Sequence, residues 1–503
     1  MKSGKKRLGT VAILLFWLIM MGWLLRREVL IPTLQPGQVA ITSEEPREAW
    51  MGVFLNSARN EEGHTVESQQ VGRVHFASRP ETREGLAGAA LELDAEVHLN
   101  LLSKATDLYL EGSVWRPRDV PRAVFEFEVR SADYDFQVAG EVAEGMLRAQ
   151  VTSVGETLPL EMPVDDGVLF GSGMGTALQF PVLEVGEEYR LESFDPLTLS
   201  KGTAKVRCVA KEVLSLREGP VETSRLEVEM SGIRSLAWVD EFGEVVRAET
   251  PVGLVLERLP PSDGSAEVDL AAASGSAGED LLGLTAIEPT GERPFRGARD
   301  MVFAVSGLEG IDLPLDRVQQ SLGEGKLRIS TPPEPVAVGA GTVEGYLASD
   351  AFVQSDHPNI RQQARSIVGD EEDPWQQALK IHEWVFVRLE KEAVVSVPSA
   401  LEVLARRRGD CNEHTVLFTA LARSIGLPTR IAIGLVWSDD LGGFYYHAWP
   451  EVHLSEGWVW LDPTLGQPRA DATHIKLLNG GIETWPQILP FLGRLEIDVL
   501  SIE

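Results

Sequence analysis

The apolar and polar positions of this chain change period several times, and each change marks a boundary. Lys2, Lys5, Lys6 and Arg7 precede an apolar run from Leu8 to Leu25, just long enough to cross a bilayer, and Arg26-Arg27-Glu28 closes it. The run carries no small-residue cleavage site and no lipobox cysteine, so it reads as an uncleaved anchor, with a cleaved signal peptide as the alternative. Residues 1–28 are therefore expected to be a cytoplasmic tip and transmembrane helix, and 29–48 a proline-containing tether. From 49 to 259 the pattern alternates with period two, as in Ala123-Val124-Phe125-Glu126-Phe127-Glu128-Val129 and Leu226-Glu227-Val228-Glu229-Met230. Asp240-Glu241-Phe242-Gly243 lies between two such stretches as a hairpin turn, with glycine at the left-handed position. This region predicts a large, mostly antiparallel all-β domain, a curved sheet or half-barrel.

Residues 260–283 are small, polar or acidic and lack aromatics, the composition of a flexible linker. Residues 284–344 return to strand-like stretches, such as Met301-Val302-Phe303-Ala304-Val305, and read as a small β-module. From 345 to 503 helical spacing takes over. Asn359–Val368 is one predicted helix. Pro374–Glu390 is a second, capped by Asp373 and with Ala378, Ile381, Trp384, Val385 and Leu389 on one face. Ser399–Arg407 is a short third. The fold class expected is multidomain: an N-terminal transmembrane helix, a large antiparallel β region and a C-terminal α+β domain.

Composition narrows the function. A chain of 503 residues that is 44% hydrophobic has room for two to four domains with sizeable cores. The net charge of −30 argues against nucleic acid as a partner. Two cysteines, Cys208 and Cys411, give no disulfide framework, and both are expected to be free. Cys208 lies in an alternating stretch and reads as core. Neither paired histidines at ligand spacing nor a cysteine pair suggests a metal, so no metal and no cofactor are expected.

The chemistry concentrates between Gly409 and Pro463. Asn412 to Ser424 has helical spacing, with Val416, Leu417, Ala420 and Leu421 on the buried face. Asp410 is the candidate N-cap, which places Cys411 in the first turn. Free N–H groups and the positive end of the helix dipole favour thiolate there. Tyr445 to Leu454 reads as a strand carrying His447, with Pro450 marking an edge or a bulge. Ser455-Glu456-Gly457 turns into Trp458–Asp462, so that Asp462 faces His447 from the neighbouring strand and can hold its ring. His414, one turn beyond Cys411, is a rival base. His453 reads as sheet surface. Trp449, Trp458 and Trp460 read as core, or as one wall of an acyl site. Arg406–Arg408 is either a solvated face or an anchor for an acidic substrate group.

The stretches GDCNEHTVLFTALARSIGLPTRIAIGLVW and HAWPEVHLSEGWVWLDPT resemble the transglutaminase-like superfamily of papain-type folds. The resemblance covers roughly Gly345 to Leu478. It implies Cys411 as nucleophile, His447 as base and Asp462 as the residue orienting it. It implies a mechanism better than a substrate, because the superfamily holds cross-linking acyl transferases, cysteine peptidases, amidases and silent members. The expectation is a membrane-anchored, exported cysteine acyl-transfer enzyme acting on peptide or carboxamide bonds, a peptidase or amidase. A protein cross-linking transglutaminase and a catalytically silent tethered binding scaffold are the alternatives. The charge bias around the apolar run puts the N-terminus in the cytoplasm and the bulk of the chain in the periplasm, single-pass in the inner membrane. A protein or peptide substrate in the cell envelope is the expected partner. The β region faintly resembles lipoprotein-carrier half-barrels, and is expected to bind a partner protein or an apolar ligand, or to serve as a scaffold.

Overall fold

The computed structural model describes residues 46–260 and 286–503, apart from short stretches inside each span. The first span is one 15-stranded sheet, running from β1 (Arg47–Arg59) to β15 (Leu254–Leu259). β1 pairs with both β2 (Thr65–Arg83) and β15. From it the strands follow chain order one way to β8 (Glu156–Pro163), and reverse order the other way to β9 (Leu169–Phe170). Tight two-residue turns set the register. Glu84-Gly85 and Glu144-Gly145 both have positive φ, the geometry that matches the twist of the flanking strands. The edge strand β8 carries Pro159 and Pro163, which cannot donate to a further strand.

Strict alternation buries one face. β5 (Arg122–Arg130) is buried at every second position, with Phe125 and Phe127 inward. Phe125 meets Phe170 of β9 at 4.8 Å and Phe194 of β10 (Glu188–Asp195) at 6.0 Å, although these strands lie on opposite arms of the sheet. The sheet therefore curls until both arms share one apolar core. Cys208 is buried there as a free thiol. Phe352, from the C-terminal span, packs into the same core while its carbonyl accepts from Ala400 N–H at the start of the helix that leads to Cys411.

The second span holds a five-stranded sheet, four helices and a four-stranded sheet. The five-stranded sheet is built from β16 (Thr290–Gly291), β17 (Asp300–Ser306), β18 (Gln319–Gly323), β19 (Lys326–Ser330) and, from the chain end, β26 (Glu496–Ile502). β26 sits between β16 and β17, so the tail completes a sheet begun two hundred residues earlier. The helices are α1 (Pro358–Val368), α2 (Pro374–Arg388), α3 (Ala400–Arg406) and α4 (Cys411–Ser424). Asp373 caps α2, accepting from Trp375 N–H at 2.9 Å and Gln376 N–H at 3.0 Å. Between α2 and α4, β20 (Glu390–Lys391) pairs with β21 (Arg408–Gly409) and fixes the approach to Cys411. The four-stranded sheet has the order β24 (Gly457–Trp460), β23 (Gly443–Leu454), β22 (Thr429–Ser438), β25 (His474–Asn479).

A buried charge cluster joins the two smaller sheets. Lys476 on β25 is fully buried and donates to Asp316 Oδ2 at 2.7 Å and Glu451 Oε1 at 2.8 Å. Arg430 Nε donates to Glu451 Oε2 at 2.6 Å. Two cations and two carboxylates balance, which is the condition for burying them.

The fold class is corrected at one point. Among the described residues no helix is long and apolar enough to cross a membrane. A spanning helix needs about 20 apolar residues, and the longest described helix, α2, has 15 and carries charged side chains. Residues 8–25, where the sequence places the transmembrane helix, lie outside the described residues, as do most of the tether and residues 261–283 of the linker. The anchor and the single-pass inner-membrane placement built on it are dropped.

Candidate active site

Cys411 is the first residue of α4. Asp410 caps the helix, accepting from Asn412 N–H at 2.8 Å, and Glu413 reaches back to accept from Asp410 N–H at 2.8 Å. This reciprocal capping box is worth about 1 kcal/mol. Gly409 makes it possible. Its φ is +148°, and a Cβ there would lie 2.3 Å from Glu413 Cγ. Thr415 Oγ1 donates to the Ala448 carbonyl at 3.1 Å, tying α4 to β23 one residue past His447.

His447 Nε2 donates to Asp462 Oδ2 at 2.8 Å, which leaves Nδ1 as the nitrogen available for the thiol. Asp462 is fully buried, and lies just beyond β24 rather than on it. Its Oδ1 accepts from Thr464 N–H at 2.8 Å and Leu465 N–H at 2.9 Å. Its Oδ2 accepts a second time, from His474 Nε2 at 3.0 Å. Burial alone would push this carboxyl up. The two imidazole rings outweigh burial and hold it well below the usual carboxylate range. Pro450 sits inside a central strand, against the edge-or-bulge expectation. Its carbonyl accepts from Leu461 N–H, so its missing N–H faces the β24 side just past the last pair, Glu451 with Trp460.

The surroundings of the sulfur work against the thiolate that the helix start favours. Part of Cys411 stays exposed, but its sulfur is surrounded by protein. Burial pushes the thiol well above its ordinary range, and Asp410, Glu413 and Asp462 add to this, while a backbone hydrogen bond from Ala448 works the other way. The capping carboxylates that build the helix start thus oppose the helix dipole at the sulfur. With its pKa raised in this way, the thiol needs a base to give up its proton for attack.

His414 feels the Asp462 charge, but its hydrogen bond goes elsewhere. Its Nδ1 donates to the Asp410 carbonyl at 2.7 Å, within its own helix, and burial keeps the ring neutral. His453 packs edge-on against Trp458. Trp449 is fully buried and lies parallel to His447 at 6.2 Å, a wall behind the ring. Trp460 is core, and Trp458 stacks under Arg430. The basic run is spent on structure. Arg406 pairs with Glu402, Arg408 with Glu392, and Arg407 covers Trp384.

Two residues here carry no sequence motif. His474 shares Asp462 Oδ2, and His382 on α2 donates from Nε2 to the Asp462 carbonyl at 3.0 Å. A signal existed for each: His382 stands on an otherwise apolar helix face, and His474 and Lys476 alternate on one face of a buried strand. His447, Asp462 and His474 are close enough to share an ion. The same distances suit two Nε2–H groups donating to one carboxylate oxygen.

These elements set a cysteine at a helix start beside a hairpin that carries a hydrogen-bonded histidine–aspartate pair. Residues 361–463 match the family model described as the transglutaminase-like superfamily. A search of curated proteins finds no match. Among solved structures the chain is similar to a candidate cysteine protease from Cytophaga hutchinsonii, with 15% identity over 43% of this chain and 85% of that one and a TM-score of 0.26. It is also similar to a β-barrel-like protein of a domain of unknown function from Brucella abortus, with 11% identity, 42% and 95% coverage and a TM-score of 0.31. A candidate protease from Parabacteroides distasonis gives 10% identity, 77% and 64% coverage and a TM-score of 0.21.

Proposed function

We propose that this protein is a cysteine hydrolase that cleaves peptide or carboxamide bonds through Cys411, His447 and Asp462. The supporting observation is the 2.8 Å bond from His447 Nε2 to a fully buried Asp462, on the hairpin bonded to the Cys411 helix. His447 takes the thiol proton as Sγ attacks the carbonyl carbon, and an S–C bond forms. Asp462 stabilises the imidazolium that results. The Cys411 N–H, free at the helix start, is one donor for the oxyanion. The C–N bond breaks as His447 returns the proton to the leaving amine. Water then cleaves the thioester, releasing the acid and restoring the thiol. The substrate class is a protein or peptide, and the curled sheet is assigned to docking a partner rather than to chemistry.

The test is a comparison of protein termini and cross-links in cells carrying wild type or Cys411→Ala. Hydrolysis predicts new termini, or ammonia release, that vanish in the variant. Amine incorporation with no released acid would instead make the protein a transglutaminase.

A further inference from the structure

We propose that His474 is a positioning residue of the thiol site: clamped by Asp471 and sharing Asp462 Oδ2 with His447, it extends the triad to a chain of four side chains behind the thiol, Asp471–His474–Asp462–His447. The proposal rests on the reading of Cys411 as a nucleophile served by His447.

Hydrogen-bond geometry carries the argument. His474 is fully buried on β25. Its Nε2 lies 3.0 Å from Asp462 Oδ2. Its Nδ1 lies 3.2 Å from the Asp471 carbonyl and 3.3 Å from Asp471 Oδ1. Both nitrogens face acceptors only, so both carry protons and the ring is a cation. Burial works against that charge, but the two carboxylates outweigh it and push the ring up to about 9.

Asp471 is itself fixed. Its Oδ1 accepts from Thr473 N–H at 3.0 Å and Thr473 Oγ1 at 2.5 Å, and its Oδ2 from Gly297 N–H at 2.8 Å and Gln467 Nε2 at 2.6 Å. The groups facing His474 are Asp462, Asp471, the His447 ring at 5.9 Å and the edge of Trp449 at 5.1 Å. His382 enters from α2 at the Asp462 carbonyl, and His382, His414 and Lys391 also act on the Asp462 charge.

The consequence concerns Asp462. Backbone N–H groups hold its Oδ1 and His447 its Oδ2, so what His474 adds is a second donor on Oδ2 and a positive charge. Two buried carboxylates without a cation between them would drive one to take a proton as pH falls, and a protonated Asp462 cannot hold the His447 tautomer. His474 therefore keeps the site in order toward acid pH, as a group that touches neither substrate nor sulfur.

The experiment follows iodoacetamide modification of Cys411 in the full chain from pH 4 to 9, read by mass spectrometry. It uses wild type, His474→Gln, Asp471→Asn and His447→Ala. Gln keeps an N–H for Asp462 but no charge. For His474→Gln the acid limb of the profile is expected to move up by about one unit, which is a tenfold loss of rate on that limb, with Asp471→Asn in between. If wild-type Cys411 is unreactive, or His447→Ala changes nothing, the nucleophile reading fails. If wild type depends on His447 but His474→Gln leaves the profile in place, this proposal alone fails. Should His474→Gln not fold, histidine-labelled wild type decides by NMR. A doubly protonated His474 at pH 7.5 is expected, and a neutral ring would overturn the proposal.

Discussion

A buried imidazolium makes folding stability depend on pH in a narrow, readable window. The perturbation is His474→Gln, made in a Cys411→Ala background so that the raised thiol does not titrate. The folded-state pKa of His474, about 9, lies above the ordinary 6.5. Its stabilisation is therefore fully present below pH 6.5 and is lost as pH rises through about 9. A difference of that size corresponds to about 3 kcal/mol at 1.36 kcal/mol per unit. His382, His414 and His453 shift the opposite way, so their contributions are complete by pH 6.5 and flat above it. The assay is urea unfolding followed by tryptophan fluorescence at four pH values between 6.5 and 9.5. Taking the difference between the two proteins cancels the large β region and the groups distant from position 474, leaving His474 and the groups that touch it, Asp462, Asp471 and His447. The parent is expected to be more stable at pH 6.5, and the gap is expected to narrow by about 3 kcal/mol by pH 9.5. A gap that stays constant across the window would refute a charged His474 and the reasoning built on it.

Three further outcomes follow from the same site. Asp410→Asn keeps the helix cap but removes an anion that holds the thiol up, so Cys411 should alkylate severalfold faster at pH 7, with an unchanged melting temperature. Gly409→Ala drives a Cβ into Glu413 and should cost roughly 1–3 kcal/mol in a denaturant titration, with loss of Cys411 reactivity. Lys476→Met leaves Asp316 and Glu451 with Arg430 alone, and should cost roughly 3–5 kcal/mol, seen as a lowered melting temperature.

Much of this was legible because local chemistry and tertiary structure agree. The period-two stretches around Phe125 and Val228 became strands because one face had a core to meet. Asp373-Pro374 and Asp410 capped the helices their spacing announced. His447 and Asp462 met because a two-residue turn, Ser455-Glu456, leaves one hairpin register. What sequence could not show was set by distance along the chain. Phe352 enters the β core, β26 returns to β17, and Asp316 reaches Lys476, each through contacts no local pattern encodes. His474 was hidden for the same reason, since its meaning depends on Asp462 lying opposite. The direction of the thiol's shift was hidden because its largest cause, burial of the sulfur, is set by the tertiary fold, with the capping carboxylates Asp410 and Glu413 adding to it.

The central claim is that His447 activates the Cys411 thiol. The most direct test is the rate of iodoacetamide modification of Cys411 at pH 7 in wild type and in His447→Ala, with buried Cys208 as the reference inside the same molecule. The account predicts that wild-type Cys411 reacts on the order of a hundredfold faster than the variant, with Cys208 slow in both. Equal Cys411 rates in the two proteins would contradict it.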